Sequence, residues 1–310
     1  MKAVRYHSYG DSSVLAYEEA SRPAAGPGQV VLRVAGAAFN PVDAAIRAGF
    51  MQQAFPVTFP YIPNFDVSGV VAETGEGVTG WNIGDAVVAF LPMNTGGAAA
   101  EFAVAPAGVL AAAPRTVELA DAAALPSSGL TAWQALFEHA DVQAGQTVLV
   151  NGAGGAVGGY AVQLAKQAGA TVTATASAGS AGRVRSLGAD RIVDYTATPL
   201  LEAVAGQRFD VVLNLVRTDA EETAQLTDLV ADGGAFVSTT GPAPGPGRGV
   251  RAAQMSVRSD AARLAELVAR VDAGDLAIDV AQRRPLADLA AVHDQSAAGR
   301  LPGGKTILIP

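Results

Sequence analysis

Two rhythms of apolar and polar residues run along the 310-residue chain. Roughly the first 110 residues carry short apolar runs broken by Gly and Pro, clearest in "QVVLRVAGAAFN", "VSGVVAETG", "DAVVAF" and "AEFAVAP". Their short, irregular connections predict a twisted antiparallel barrel rather than a βαβ array. From about Leu125 the period lengthens. "SSGLTAWQALFEHA" places Leu130, Trp133, Leu136 and Phe137 at helical spacing, with Ser127 and Ser128 as candidate N-caps. Strand-like and helix-like segments then alternate from "TVLVNGA" to "GAFVSTTG". Nearly unbroken apolar strands between helices predict a parallel sheet covered on both faces.

The tail holds one amphipathic helix, "DAARLAELVARVDAGD", with Gly274 at its C-terminal end, and closes on a β segment, "KTILIP". These pieces are too small to fold alone and are expected to complete the first domain. "GPAPGPGRG" at 241–249 reads as a loop from its composition.

Composition narrows the function. Half the residues are hydrophobic and 16% are charged, which marks a globular protein. A net charge of -8 and a pI near 4.9 argue against broad contact with a nucleic-acid backbone. Without cysteine there is no thiolate nucleophile, no disulfide and no sulfur-ligated zinc. The start "MKAVRYHSYGD" lacks an apolar signal region, and no apolar run approaches membrane-spanning length, so a cytoplasmic location is expected.

The candidate chemistry begins at "VLVNGAGGAVGGYAVQLAKQAGATVTATASAGSAGR", Val148 to Arg183. Ala153, Gly155 and Gly158 occupy the three places of a G-x-G-x-x-G turn between a strand and a helix. Such a turn brings backbone N–H groups and a helix N-terminus against a pyrophosphate. An NAD-binding unit of this kind carries a carboxylate after the second strand for the ribose hydroxyls. Here Ala176 and Ser177 stand in that place, with Ser180 and Arg183 beyond. Donors in place of an acid suit a 2′-phosphate, so NADPH is the expected cofactor, with Arg185 able to share the role of Arg183.

Several further stretches share an order with one known family. "FNPVDAAIRAGF", "IPNFDVSGVVAETGEGV", "WNIGDAVVAF", "LPSSGLTAWQALFE", "SLGADRIVDY", "FDVVLNLV" and "GRLPGGKTILIP" make the chain resemble the medium-chain dehydrogenase/reductase superfamily, in its zinc-free quinone oxidoreductase branch. The resemblance implies an α/β fold. A GroES-like β-barrel substrate domain (1–122 and 258–310) would surround a Rossmann NADPH-binding domain with a doubly wound parallel sheet (123–257). It also implies cofactor contacts at Asn40, Thr131, Ala153, Gly154, Gly155, Ala156, Val157, Ser177, Ser180, Arg183, Tyr195, Leu215, Thr239 and Gly241.

In the zinc enzymes of that superfamily, the metal ligands fall where this chain has Asn40, Asn64-Phe65-Asp66 and, approximately, Ser127. No thiolate or imidazole remains there, so no metal is expected. Without one, hydride transfer suits a quinone or an α,β-unsaturated carbonyl, whose developing charge is delocalised. Asn40, Tyr61 and Thr131 are the candidate catalytic residues, with Ser127 or Ser128 as further donors. Asn40 before Pro41 is also a turn former, and Asp43 can cap the following helix. Phe50, Phe55, Phe59 and Tyr61 either line an aromatic pocket or pack the barrel. His7 and His293 are placed near surfaces and His139 at a helix end, with no catalytic role for any of the three. The alternatives are an enoyl or 2-alkenal reductase and an NADPH-binding protein without turnover. A homodimer is expected, pairing through an edge strand after Gly234.

Overall fold

The N-terminal apolar runs become strands β1 (Lys2–Arg5), β2 (Ala16–Glu19), β3 (Gln29–Ala38), β4 (Asp66–Thr74), β5 (Ala86–Phe90), β6 (Phe102–Pro106) and β7 (Leu110–Ala112), with one short helix, α1 (Pro41–Arg47), among them. The alternating region gives α2 (Pro126–Trp133), β8 (Thr147–Asn151), α3 (Ala156–Gln167), β9 (Thr171–Ala176), α4 (Ala178–Ser186), β10 (Arg191–Asp194) and α5 (Leu200–Ala203). It continues through β11 (Phe209–Asn214), α6 (Ala220–Asp228), β12 (Val230–Ser238) and β13 (Arg251–Gln254). The tail adds α7 (Ala261–Asp272), β14 (Val280–Pro285), α8 (Leu289–Ala297) and β15 (Lys305–Ile309). The structure is a computed structural model that describes residues 1–242, 244–245 and 247–310. It divides into two units, Met1–Ser127 with Ser259–Pro310, and Ser128–Arg258.

In the first unit a seven-stranded sheet runs in the order β14-β15-β3-β4-β5-β7, with β6 also paired to β3. The central strand β3 is antiparallel to β4, β6 and β15. The C-terminal segment therefore returns as a strand beside β3, with Ile307 opposite Ala38. Along β3, Val30, Val31, Leu32 and Val34 are buried and Arg33 is exposed, so much of the strand is covered on both faces. Val4, Phe39, Leu286, Leu289, Val292 and Leu308 form a second core against α8. Asp260 caps α7 by accepting from the Arg263 N–H at 2.9 Å, and Gly274 ends it with φ of +80°.

The second unit is a six-stranded sheet in the order β10-β9-β8-β11-β12-β13, parallel throughout. Val148, Leu149, Val150, Val211, Val212 and Leu213 are fully buried along its centre, as strands covered on both faces must be. The order reverses between β8 and β11, and at such a crevice the carboxyl ends of parallel strands bind ligands.

Three sequence expectations change. Ser127 and Ser128 lie inside the first turn of α2 rather than capping it, because a helical turn at Asp121–Ala124 leads almost directly into the helix. The strand after Gly234 is no edge: β12 is flanked by β11 and β13, and β13 is the outer strand. The loop reading for 241–249 includes positions 243 and 246, which lie outside the described residues.

Candidate functional site

In the second unit the glycine turn is set by the ends of three parallel strands. Asn151 closes β8 and donates from Nδ2 to Oδ1 of Asn214, at the end of β11, over 3.0 Å. Thr175 on β9 donates to Asn151 Oδ1 (3.0 Å) and accepts from the Gly152 N–H (2.8 Å). These bonds aim the turn. Gly152 holds φ of +99°, which its type alone takes at no steric cost. Gly155 caps α3, and a Cβ at Gly158 would lie 2.4 Å from the Gly152 carbonyl oxygen and 2.5 Å from Ala153 Cα. The helix start is thus pressed onto the turn. The amides of Ala156 and Val157 open α3 as unsatisfied helix N-terminal donors. Ala153 is fully buried beneath the turn. This cradle, with room only for hydrogen at Gly158, fits a pyrophosphate, so the residues suit a dinucleotide.

The second strand delivers no acid. β9 ends at Ala176, and Ser177 caps α4 in a reciprocal box with Ser180. Ser180 Oγ accepts from the Ser177 N–H at 3.1 Å and stands 3.2 Å from Ser177 Oγ. Arg183, one turn further along α4, donates from its guanidinium to the carbonyl oxygen of Gly154. Ser177, Ser180 and Arg183 are therefore gathered beside the glycine turn, while Arg185 is exposed. Because the strands are parallel, Tyr195, Leu215, Thr239 and Gly241 follow strand ends on the same edge of the sheet. Tyr195 is exposed; the Leu215 N–H donates to the Asn151 carbonyl (2.9 Å) and the Thr239 N–H to the Asn214 carbonyl (3.1 Å). The Gly241 N–H donates to Ser238 Oγ at 3.3 Å. Thr131 lies in α2, nearly buried.

In the first unit a buried polar cluster joins four segments. Asp66, fully buried at the start of β4, accepts from the Ser127 N–H (2.7 Å), Ser127 Oγ (2.6 Å) and Asn40 Nδ2 (2.9 Å). Lys305, the first residue of β15 and 3% exposed, lies 3.1 Å from the same carboxylate and also donates to Asn40 Oδ1. Asn40 caps α1, and its N–H donates to Asp43 Oδ2 at 2.7 Å. The other Asp43 oxygen accepts from the Asn64 N–H at 3.2 Å. Burial pushes the Asp43 carboxyl up to about 7; the Asn40 N–H and the Lys305 charge oppose that rise, and the Asp66 charge adds to it.

Asn40, Asp66 and Ser127, which the resemblance sets at metal-binding places, are thus drawn together. As a set they do not fit zinc. They supply two amide or hydroxyl groups and one carboxylate, and that carboxylate is already engaged by the Lys305 ammonium. Among the described residues no group of three or more His, Asp or Glu side chains could hold a metal ion.

Other expectations are redirected. Tyr61 is buried, and its hydroxyl donates to the Met93 carbonyl at 2.5 Å, so its O–H is already committed to a main-chain acceptor. Burial raises its pKa further. The aromatic residues do not gather as a pocket: Phe50 is 83% exposed, whereas Phe59 packs against Tyr6 and Tyr9 at ring separations of 5.8 and 5.0 Å. His293 is not at a surface but 1% exposed, its ring 4.8 Å from that of Phe39. Sequence reasoning passed over Asn151, Thr175, Asn214 and Lys305. The signal for the last was a single charged residue opening a strand that is otherwise uncharged and buried over most of its length, "KTILI".

This combination, a mostly antiparallel sheet unit and a parallel sheet with a reversed strand order, is the architecture of a two-domain nicotinamide oxidoreductase. Family comparison agrees. Residues 26–115 match the alcohol dehydrogenase GroES-like domain, and residues 187–308 match the zinc-binding dehydrogenase family. The chain is 42% identical to the chloroplast envelope quinone oxidoreductase homolog of Arabidopsis thaliana, over 69% of this chain and 68% of that protein. It is 36% identical to the NADPH-dependent alkenal/one oxidoreductase, chloroplastic, of the same plant, over 80% of this chain and 64% of that one. The solved structure of the quinone oxidoreductase from Coxiella burnetii superposes with a TM-score of 0.90 at 28% identity, covering 100% and 99% of the two chains. The chain belongs to the medium-chain dehydrogenase/reductase superfamily, in its quinone oxidoreductase branch.

Proposed function

We propose that this chain is an NADPH-dependent, zinc-independent oxidoreductase that reduces a quinone or a similar conjugated carbonyl. The observation that carries the reading is the end of β9, where Ala176 and Ser177 replace an acid and Arg183 reaches the glycine turn. A carboxylate there would repel a 2′-phosphate; serines and an arginine attract one. The NADPH dependence in the name of the alkenal/one relative supports the same choice.

In this reading the turn from Gly152 to Val157 holds the pyrophosphate through backbone N–H groups. Ser177, Ser180 and Arg183 hold the adenosine 2′-phosphate, and Tyr195, Leu215, Thr239 and Gly241 border the same edge. The bound nicotinamide supplies hydride. Asn40, with one Nδ2 hydrogen spent on Asp66, has a second to offer the oxygen on which negative charge develops. Thr131 is assigned to the nicotinamide end by resemblance.

A 2-alkenal or enone is the second substrate class, favoured by the likeness to the alkenal/one oxidoreductase. No helix among the described residues is long and apolar enough to cross a membrane. A small-molecule acceptor, a cytoplasmic setting and a homodimer complete the reading.

The test is NADPH and NADH oxidation against phenanthrenequinone, a benzoquinone and a 2-alkenal, with and without EDTA. Faster turnover with NADPH, insensitive to EDTA, is expected. Cofactor binding without oxidation on any acceptor would leave a binding protein instead. Activity lost to EDTA and restored by Zn²⁺ would overturn the metal-free reading.

A further inference from the structure

The Lys305 ammonium has lost nearly all contact with water, and its neighbours are three oxygens. Asp66 Oδ2 is 3.1 Å away, the Phe39 carbonyl 3.5 Å, and Asn40 Oδ1 accepts a third bond. A buried lysine whose only task was to neutralise Asp66 would not need the amide. Its bond to Asn40 Oδ1 has two consequences. With the Ser127 hydroxyl, 3.3 Å from the same oxygen, it fixes which end of the amide faces inward, leaving Nδ2 to donate one hydrogen to Asp66 and to hold the other unengaged among the described residues. A cation on the amide oxygen also withdraws electron density from nitrogen, making the remaining N–H a stronger donor.

We propose that Lys305 is a positioning residue for Asn40: its ammonium, held among Asn40 Oδ1, Asp66 Oδ2 and the Phe39 carbonyl, orients and polarises the Asn40 amide toward the substrate oxygen. This rests on Asn40 serving as the donor in the proposed reaction. The ammonium does not touch substrate, and no proton leaves it. The fold supports the assignment. Lys305 opens β15, which is hydrogen-bonded to β3 at Ala37 and Ala38, so the ammonium is delivered to the turn that carries Asn40 by a paired strand. The Phe39 N–H also donates to the Thr306 carbonyl at 3.0 Å, locking the two segments in register beside the site.

Three variants separate positioning from plain charge balance. Lys305→Met removes the cation, and the paired Lys305→Met/Asp66→Asn removes both charges, so that no unpaired carboxylate stays buried. Lys305→Arg keeps a cation. For wild type and each variant, kcat and KM for a quinone, NADPH affinity by fluorescence, thermal midpoint, and the side-chain ¹⁵NH₂ signal of Asn40 (assigned with Asn40→Asp) are measured.

The paired variant is expected to regain a thermal midpoint near wild type while kcat stays about tenfold or more down, with NADPH affinity unchanged. In it the Asn40 ¹⁵NH₂ resonance moves and broadens, and Lys305→Arg recovers part of kcat. If the paired variant restores kcat together with stability, Lys305 only balances Asp66 and the proposal fails. An unmoved Asn40 resonance in folded Lys305→Met or paired variant also overturns it. The NMR measurement stands even where wild type turns over no acceptor, the outcome that would defeat the proposed reaction instead.

Discussion

The Arg183 guanidinium donates to the main-chain carbonyl of Gly154, tying helix α4 to the glycine turn. The residue proposed for the 2′-phosphate is therefore already held beside the glycine turn, with Ser177 and Ser180 at the head of the same helix. A charge-assisted hydrogen bond contributes about 1.5–3 kcal/mol net. Arg183→Ala is accordingly expected to lower the NADPH-to-NADH affinity ratio by roughly 10- to 150-fold. Titration of both cofactors checks this, and an unchanged ratio would move the phosphate contact elsewhere, with Arg185 the next variant to make.

Gly158 is where helix α3 presses on the turn, leaving a Cβ 2.4 Å from the Gly152 carbonyl oxygen. Backbone atoms cannot yield as a flexible side chain would. Gly158→Ala is expected to destabilise the protein by about 1–3 kcal/mol through overpacking and to weaken NADPH binding by displacing the N–H groups of Ala156 and Val157. Gly154→Ala is the control. Its Cβ would stand 3.0 Å from the Ser180 hydroxyl, which can rotate, so the stability cost should be smaller. Urea unfolding and cofactor titration on both variants give the comparison.

These two sites show which parts of the molecule were legible in the chain. The glycine turn and the missing acid were readable because both are local: a strand, a turn and a helix within about forty consecutive residues obey short-range steric and dipole rules. The parallel sheet was readable from unbroken apolar strands. The Lys305–Asp66 pair was not, since 239 positions separate its members and their meeting depends on the return of β15 beside β3. His293 was misplaced for a related reason. Helix α8 has a weak apolar face, and only the arrival of Phe39 and its neighbours makes that histidine interior. Tyr61 carried no sign that the Met93 carbonyl would accept its hydroxyl hydrogen bond.

Asp43 should make the fold more stable at mildly acidic pH. Its carboxyl is raised from 3.8 to about 7, chiefly by burial, so between those values the folded state holds a proton the unfolded chain releases. The contribution is fully present below the unfolded value and is lost as pH rises through 7. Between pH 5 and pH 8 this amounts to roughly 2–3 kcal/mol. Relative to wild type, Asp43→Asn is expected to lose that gain on acidification; urea unfolding at the two pH values measures it. An Asp43→Asn profile parallel to that of wild type would show the carboxylate ionised throughout.

His293 should act in the opposite direction. Both of its ring nitrogens lack a hydrogen-bond partner, and burial depresses its pKa from 6.5 to about 3. The nearby Arg47 charge disfavours protonation further, while Asp294 favours it. The unfolded chain therefore binds a proton that the folded state refuses. This contribution is present above the unfolded value and is lost as pH falls toward 3. Between pH 8 and pH 5 the loss is about 2 kcal/mol, close to the gain supplied by Asp43. Wild type should then show little net dependence from these two groups. The single variants should slope apart: His293→Leu becomes more stable on acidification relative to wild type, and Asp43→Asn less so. Unfolding free energies for wild type, both single variants and the double variant, at pH 5, 6.5 and 8, test the opposition. Two single variants with slopes of the same sign would refute it.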